Sequence, residues 1–82
     1  VVYLGVREYY QHQGIGQALI NRIEAWALNH HIRRIEATVV TENINAIELF
    51  KGMGFQIEGE LKDKLFINQK YYNEYVMAKI LN

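Results

Sequence analysis

The sequence predicts a mixed α/β (α+β) fold with the element order β-α-β-α-β-(β)-β. Three observations support this prediction: a short apolar run opens the chain, two segments with helical spacing follow, and the last third alternates between apolar and polar residues. The first helix is joined to the strand-like runs on either side by short loops. Such a connection favours a right-handed crossover and therefore a parallel strand pair at the start of the sheet.

The first strand and the first helix occupy the N-terminal third of the chain. Residues 1–6 are nearly all apolar, which is typical of a strand covered on both faces. From Ile15 to about Asn29, apolar residues recur at helical spacing and polar residues fill the rest of the helical wheel. The apolar stripe consists of Ile15, Leu19, Ile23, Trp26 and Ala27.

A second strand and a short second helix follow. Residues 33–40 alternate along the chain, and one face of the predicted strand holds Ile35, Ala37 and Val39. Thr41 or Asn43 can cap the next helix, which we expect over about residues 45–51.

The C-terminal third is predicted to consist of strands. Residues 55–61 alternate as a half-buried strand, and residues 65–67 form either a short strand or the end of a loop. Residues 71–80 close the chain as a long strand, antiparallel to its neighbour because too few residues intervene for another crossover.

Composition narrows the class of protein. The 82 residues have a formal net charge of zero and 50% of them are hydrophobic, which indicates one small globular unit. The chain has no surplus of Lys and Arg and no apolar run long enough to span a membrane, so we expect neither a nucleic-acid nor a membrane partner, and a cytoplasmic location. Cysteine is absent, which excludes disulfides and thiolate metal sites. The chain starts with Val1 inside a predicted strand, and we expect further residues to precede it.

The loop between the first strand and the first helix has the composition of an anion site. It reads Gln11-His12-Gln13-Gly14-Ile15-Gly16. Glycines lack a Cβ and let a ligand approach the backbone, and N–H groups at the start of a helix attract phosphate. A simpler interpretation is that the glycines only shape a turn. A dinucleotide fingerprint is excluded because Leu19 stands where it would need glycine.

Three spaced signatures resemble the GCN5-related N-acetyltransferase (GNAT) family, and together they cover essentially all 82 residues. The first is Val6 followed by Gln11-x-x-Gly14-x-Gly16, similar to the Q/R-x-x-G-x-G/A motif with which that family holds the pyrophosphate of acyl-CoA. The second is Asn43-x-x-Ala46-Ile47-x-Leu49-Phe50-x-x-x-Gly54-Phe55. The third, which resembles the C-terminal tail of the family, consists of Glu58-Gly59-x-x-Lys62 and Asn73-Glu74-x-x-Met77.

The resemblance implies a single partial acyl-CoA N-acyltransferase domain over residues 1–82, the C-terminal coenzyme A-binding half, with the N-terminal strands and helices missing. Acetyl-CoA is then the co-substrate, lying between two splayed parallel strands, and no metal is required. Its pantetheine would hydrogen-bond to main-chain groups of Leu4 and Val6. Its pyrophosphate would be held at Gln11, His12, Gln13, Gly14, Gly16 and Gln17. Asn43 matches a position whose side chain often touches the coenzyme, and it fits a helix cap equally well.

The implied reaction is direct attack of a primary amine, from a small molecule or a protein, on the thioester of acetyl-CoA. Glu8 and Glu36 are the candidate bases, each acting through a bound water, although a solvated surface carboxylate is the simpler interpretation of both. Where the family commonly has a tyrosine acid, this chain has Phe50, which cannot donate a proton. Water or another tyrosine would then serve, the thiolate would leave unaided, or the chain would be a non-catalytic acyl-CoA-binding or dimerisation fragment.

Three tyrosines and one strand edge bear on partners other than the coenzyme. Tyr71, Tyr72 and Tyr75 could line a pocket for the amine acceptor, or they could pack a sheet or a dimer face. Missing N-terminal elements would leave a strand edge bare, and a bare edge invites pairing with another chain. We therefore expect either a longer full protein or a homodimer through the exposed sheet edge.

Overall fold

The structure, a computed structural model, describes residues 2–5 and 13–81. Over these residues the elements are β1 (Val2–Gly5), α1 (Gln13–Asn29), β2 (Arg34–Val40), α2 (Ile44–Gly52), β3 (Gln56–Ile67) and β4 (Lys70–Ile80). The described strands form one sheet in the order β1-β2-β4-β3. β1 is parallel to β2, and β4 is antiparallel to both of its neighbours, β2 and β3. The predicted mixed fold is confirmed. The expected splay of the parallel pair beyond Gly5 falls on residues outside the described ranges.

α1 begins two residues earlier than the sequence predicts and ends at Asn29, as predicted. Its first residue is Gln13 instead of Ile15, so Gly14 and Gly16 lie in the first turn of the helix. The first N–H groups of a helix have no carbonyl four residues earlier within the helix to bond. The glycines are therefore part of the helix start itself and not only of the loop before it.

The buried face of α1 is centred on Ile20 and Ala27, which are almost fully buried, with Ile23 partly buried beside them. The prediction that Trp26 belongs to this stripe is wrong, because its side chain is 51% exposed. Ile20 and Ala27 are seven residues apart and so lie on one line along the helix, whereas Trp26 is rotated by about 100° from Ala27. The Trp26 ring instead stacks on His30, with ring centroids 4.1 Å apart.

α2 begins at Ile44 because the side chain before it closes the first turn. The Ala46 N–H donates a hydrogen bond to Asn43 Oδ1 at 3.2 Å. This oxygen replaces the carbonyl that a preceding helical turn would have supplied. Of the two predicted caps, Asn43 is therefore the one used.

No helix within the described ranges is both long enough and apolar enough to cross a membrane.

The hydrophobic core lies between the two helices and one face of the sheet. β2 alternates as predicted, with buried side chains at Ile35, Ala37 and Val39. The residues that they meet in the core cluster include Ile47, Leu49, Phe50, Phe55 and Met77. The opposite face of β2 holds Glu36, Thr38 and Val40, all only partly buried. Both helices therefore cover the same side of the sheet, and we call the other side the open face.

β3 differs from the prediction in length and in burial. Residues 65–67 are its distal end and not a separate strand, and almost all of its residues are exposed. The half-buried strand predicted over residues 55–61 is therefore wrong. Between Ile57 and Gly59, β3 advances two residues while β4 advances one, so the side-chain alternation changes face at this bulge. β3 is also the edge strand next to β4, away from the core between β2 and the helices.

A second irregularity in β3 lies between Leu61 and Leu65 and is held by a side chain of β4. Asp63 adopts a left-handed conformation there, with φ at 49°. Its N–H donates a hydrogen bond to Asn73 Oδ1 at 2.7 Å, and Asn73 Nδ2 donates one to Glu60 Oε2 at 2.9 Å. One asparagine thus ties both the irregular segment and Glu60, which precedes it, to β4.

Candidate active site

The carboxyl ends of β1 and β2 lie at one edge of the sheet, because these two strands are parallel. α1 follows β1 and α2 follows β2, so both helices begin at this edge. Ligand sites of open α/β sheets commonly lie outside the carboxyl ends of such strands. A cavity of about 590 Å³ opens at the end of β2, and it is lined by Val40, Glu42, Asn43, Ile44, Asn45, Ile67 and Tyr72.

The first turn of α1 holds three of the residues predicted to bind pyrophosphate, Gln13, Gly14 and Gly16, and Gln17 follows as the fifth residue of the helix. Gly16 is buried, whereas Gln17 is exposed. The N–H groups of this turn have no acceptor inside the helix, and they lie at the positive end of the helix dipole. The arrangement has the properties of an anion site.

Leu4 lies in β1, and its partner in the parallel strand β2 is Ala37. The predicted coenzyme site requires such a parallel pair of strands. Val6, Glu8, Gln11 and His12 lie outside the described residues. The roles predicted for these four residues therefore stay predictions.

Asn43 lies at the wall of the cavity and also caps α2. The cap uses Oδ1, and a neutral amide has two further N–H donors on Nδ2. The two interpretations of Asn43 are therefore compatible: one atom of the side chain can hold the helix while the other contacts a ligand.

Tyr72 is the predicted acceptor-pocket tyrosine that reaches the cavity. Lys70 Nζ lies 4.9 Å from the centroid of its ring and forms an ion pair with Glu42 Oε2 at 3.2 Å. Tyr71 is 60% exposed and packs against Phe66, with ring centroids 4.7 Å apart. Tyr75 packs against the core. The three tyrosines are therefore not brought together.

Glu36 lies on the open face of β2 in an ion pair with Arg34. Arg34 Nε donates to Glu36 Oε1 at 3.0 Å, and the same guanidinium binds Glu58 at the start of β3. The hydrogen bond from Arg34 lowers the pKa of the Glu58 carboxyl, and the two carboxylates raise the pKa of Arg34. Glu36 is four residues from Val40, so it lies about 13 Å along the strand from the cavity wall.

Phe50 is a core residue in this structure. It is fully buried, and its ring meets that of Phe55 edge to face, with centroids 4.9 Å apart and planes at 77°. This geometry agrees with its interpretation as a packing aromatic.

Within the described ranges, no three His, Asp or Glu side chains are grouped so as to hold a metal ion.

Comparison with known proteins assigns the family. Residues 1–76 match the acetyltransferase (GNAT) domain. The chain belongs to the GNAT family. It is similar to the L-amino acid N-acetyltransferase AaaT of Escherichia coli (strain K12), with 33% identity over 72 residues, which are 87% of this chain and 44% of that protein.

Solved GNAT structures have the same fold. One is a chimera of the spermidine N-acetyltransferase SpeG from Vibrio cholerae and hSSAT, with 30% identity, a TM-score of 0.79, and coverage of 89% of this chain and 45% of that one. Another is Arabidopsis thaliana NAA60 in complex with a bisubstrate analogue, with 28% identity, a TM-score of 0.81, and coverage of 98% and 49%. The chain thus spans about half the length of the GNAT proteins that it matches.

The sequence analysis named only two of the seven residues that line the cavity. It named Asn43 and Tyr72, but not the other residues that line the wall, Val40, Glu42, Ile44, Asn45 and Ile67. The position of Asn43 just before the second helix was a usable signal for its neighbours. Ile67 gave no such signal, because it reaches the cavity only through the pairing of β3 with β4.

Proposed function

We propose that this chain forms the coenzyme-binding part of an N-acetyltransferase that moves the acetyl group of acetyl-CoA to a primary amine by direct attack. The observation that supports this most is the common position of three features. The parallel pair ends, both helices begin, and the cavity opens at one edge of the sheet. The family to which the chain belongs supports the same activity.

The first turn of α1 is proposed to hold the pyrophosphate of acetyl-CoA. Its free N–H groups would donate to phosphate oxygens, and glycine at positions 14 and 16 leaves the backbone accessible. Gln11 and His12 before the helix and Gln17 after the glycines complete the proposed set. Main-chain groups of Leu4 and Val6 would bind the pantetheine, as the family resemblance implies.

Asn43 is proposed to contact the coenzyme with its Nδ2 donor. The amine nitrogen would then attack the thioester carbonyl carbon, so that a C–N bond forms, the C–S bond breaks, the thiolate leaves and the nitrogen loses a proton. Glu8 is the proposed base through a bound water, and Glu36, about 13 Å along β2 from the cavity wall, could serve a centre beside that wall only through a chain of waters. Phe50 has no proton to give, so Tyr72 at the cavity wall is, among the tyrosines of the described residues, the one proposed to protonate the thiolate.

The proposed acceptor is either a small amine that enters the cavity or an amine at the exposed end of a larger molecule. The names of the relatives give amino acids and spermidine as acceptors of those proteins. Both classes present a primary amine, which is the only feature that the proposed reaction requires.

The test measures coenzyme binding and thiol release separately. We expect the intact protein to bind coenzyme A in calorimetry and to release free thiol from acetyl-CoA when a panel of amines is supplied. Gly14→Val should weaken coenzyme binding by about tenfold or more, since it would displace one or two charge-assisted hydrogen bonds worth about 1.5 kcal/mol each. Gly52→Val is the matched control, because a Cβ at Gly52 would have no heavy atom within 4 Å.

Each result separates the candidate functions. Binding without thiol release from any amine would favour the non-catalytic acyl-CoA-binding module. Unchanged coenzyme affinity in a folded Gly14→Val protein would contradict the α1 anion site.

A further inference from the structure

Lys70, at the start of β4, brings a positive charge to the wall of the cavity. Its Nζ donates a hydrogen bond to Glu42 Oε1 at 3.3 Å and lies 3.2 Å from Glu42 Oε2. The same nitrogen lies 4.9 Å from the centroid of the Tyr72 ring. Glu42 and Tyr72 both line the cavity. One ammonium group thus joins two residues of the cavity wall.

These two wall residues belong to different parts of the fold. Glu42 lies in the loop between β2 and α2, whereas Tyr72 lies in β4. The backbones of the two segments are already joined beside the ion pair, because the Thr41 N–H donates a hydrogen bond to the Asn73 carbonyl at 3.0 Å. The ion pair is therefore not needed to bring the segments together, and its effect falls on the side chains.

The position of Tyr72 along β4 leaves its ring beyond the end of β2. The last residue of β2 is Val40, and its partner on β4 is Glu74. Tyr72 lies two residues further towards the hairpin turn, on the same face as Glu74. Glu42 follows the end of β2 by two residues, and the Lys70 ammonium that it binds lies near the ring. The ion pair thus occupies the region where a longer β2 would have supplied a neighbour for Tyr72.

The energetics of these contacts favour a role in orientation over a role in stability. The side chains of Lys70 and Glu42 are 56% and 58% exposed, and ion pairs between exposed groups contribute little to stability. A cation near the face of an aromatic ring is attracted by the negative face of the ring. Glu42 restrains the ammonium, and the ammonium in turn restrains the ring.

We propose that the ion pair of Lys70 with Glu42 holds the Tyr72 ring in position at the cavity wall, which makes Lys70 a positioning residue for acetyl transfer. This inference rests on the proposed function and deepens it, because Tyr72 is the residue proposed above to protonate the leaving thiolate. A ring held in one orientation presents its O–H to the thiolate more often than a ring that changes rotamer. Lys70 itself transfers no proton.

Lys70→Met tests the inference, because it removes the charge and keeps an unbranched apolar side chain. We expect kcat to fall roughly three- to thirtyfold, as the loss of an exposed ion pair and a cation–ring contact together would give, while the KM for the acceptor changes by less than about twofold. Lys70→Arg keeps a cation that pairs with carboxylates and stacks on rings, and it should retain kcat. Lys62→Met is the matched control and should leave kcat unchanged, since Lys62 lies on the same hairpin and pairs with Glu60 at 3.7 Å.

Glu42→Gln tests whether the two charged residues act as a pair. The double variant Lys70→Met/Glu42→Gln should be no slower than Lys70→Met alone, because each single substitution already breaks the pair. Additive losses in the double variant would overturn the inference. So would an unchanged kcat in Lys70→Met, a Lys70→Arg protein as slow as Lys70→Met, or an equal loss in Lys62→Met.

A second measurement uses proton NMR and needs no turnover. Protons above the face of an aromatic ring are shifted upfield, so we expect the Hε protons of Lys70 to resonate upfield of those of Lys62. Glu42→Gln should move the Lys70 signal towards that of Lys62. Equal positions of the two signals in the unsubstituted protein would overturn the inference.

The two measurements separate this inference from the proposed function. If no amine is acetylated but the upfield shift is present and depends on Glu42, acetyl transfer fails and the positioning of the Tyr72 ring stands. If amines are acetylated but neither kcat nor the shift responds to the substitutions, the positioning by Lys70 alone fails.

Discussion

Asn43 caps α2 and lines the cavity, and two substitutions separate these contributions. Asn43→Ala removes both the Oδ1 acceptor and the Nδ2 donors. Asn43→Ser keeps an oxygen that can accept from the Ala46 N–H but removes the amide donors. We expect Asn43→Ala to lower both stability and coenzyme affinity, and Asn43→Ser to lower coenzyme affinity alone.

The magnitudes follow from the geometry of the cap. Loss of an N-cap costs about 0.5–2 kcal/mol. The 3.2 Å distance from the Ala46 nitrogen to Asn43 Oδ1 is at the long end of the usual N–H···O range, so we expect about 0.5–1 kcal/mol for Asn43→Ala. A loss of about 1 kcal/mol corresponds to a fall in Tm of roughly 4–8 °C for a domain of this size. One neutral hydrogen bond to the coenzyme would change Kd by roughly 2–12-fold.

Urea unfolding and calorimetric titration with coenzyme A provide the two readouts. Glu48→Ala, on the exposed side of α2, measures the effect of a new alanine in this helix without touching the cap. A urea midpoint for Asn43→Ala equal to that of the unsubstituted protein would refute the account of the cap. Equal Kd values for Asn43→Ser and the unsubstituted protein would remove Asn43 from the coenzyme site and leave the cap in place.

Two further substitutions test the core and the ion-pair network. Phe50→Ala should lower the free energy of unfolding by about 3–5 kcal/mol in urea titration because the ring is fully buried. Phe50→Tyr should lower it by about 1–3 kcal/mol because a hydroxyl would enter the core. A Phe50→Tyr protein with higher kcat and unchanged stability would contradict the packing role. The lowered pKa of Glu58 means that its contribution to stability is present above the ordinary glutamate pKa of 4.5 and is lost as the pH falls through the lower folded value. Arg34→Gln should therefore flatten the pH dependence of the urea midpoint in the acidic range, and an unchanged slope would show that this pair does not couple to folding.

The elements that the sequence predicted well have a simple local cause. β2 alternates because helices cover one of its faces, so that Ile35, Ala37 and Val39 are buried in turn. α2 could be placed because an asparagine stands at the position where a helix start needs an acceptor. Both signals are contained in a few consecutive residues and depend little on distant parts of the chain.

The misassigned elements depend on contacts that local sequence does not show. Trp26 fits a helical stripe by spacing, but α1 meets the sheet along the line of Ile20 and Ala27. In β3 most of the apolar residues have odd numbers, which is the spacing expected for one face of a regular strand. The bulge after Ile57 instead leaves Ile57 beside Met77 on the core side and puts Leu61 beside Glu74 on the open face. A one-residue bulge exchanges the two faces of a strand, and no pattern within β3 announces it.

The pairing of β3 with β4 also explains why only part of the cavity could be predicted from the sequence. Between Leu61 and Leu65, β3 advances four residues while β4 advances two, from Glu74 to Tyr72. Because two extra residues are an even number, the alternation stays in phase, and the distal end of β3 remains on the face that holds Tyr72. Ile67 thereby reaches the cavity. The bulge is held by Asn73, ten residues from Asp63. We infer that Asn73, whose own side chain does not line the cavity, sets the position of the cavity wall through the register of the hairpin.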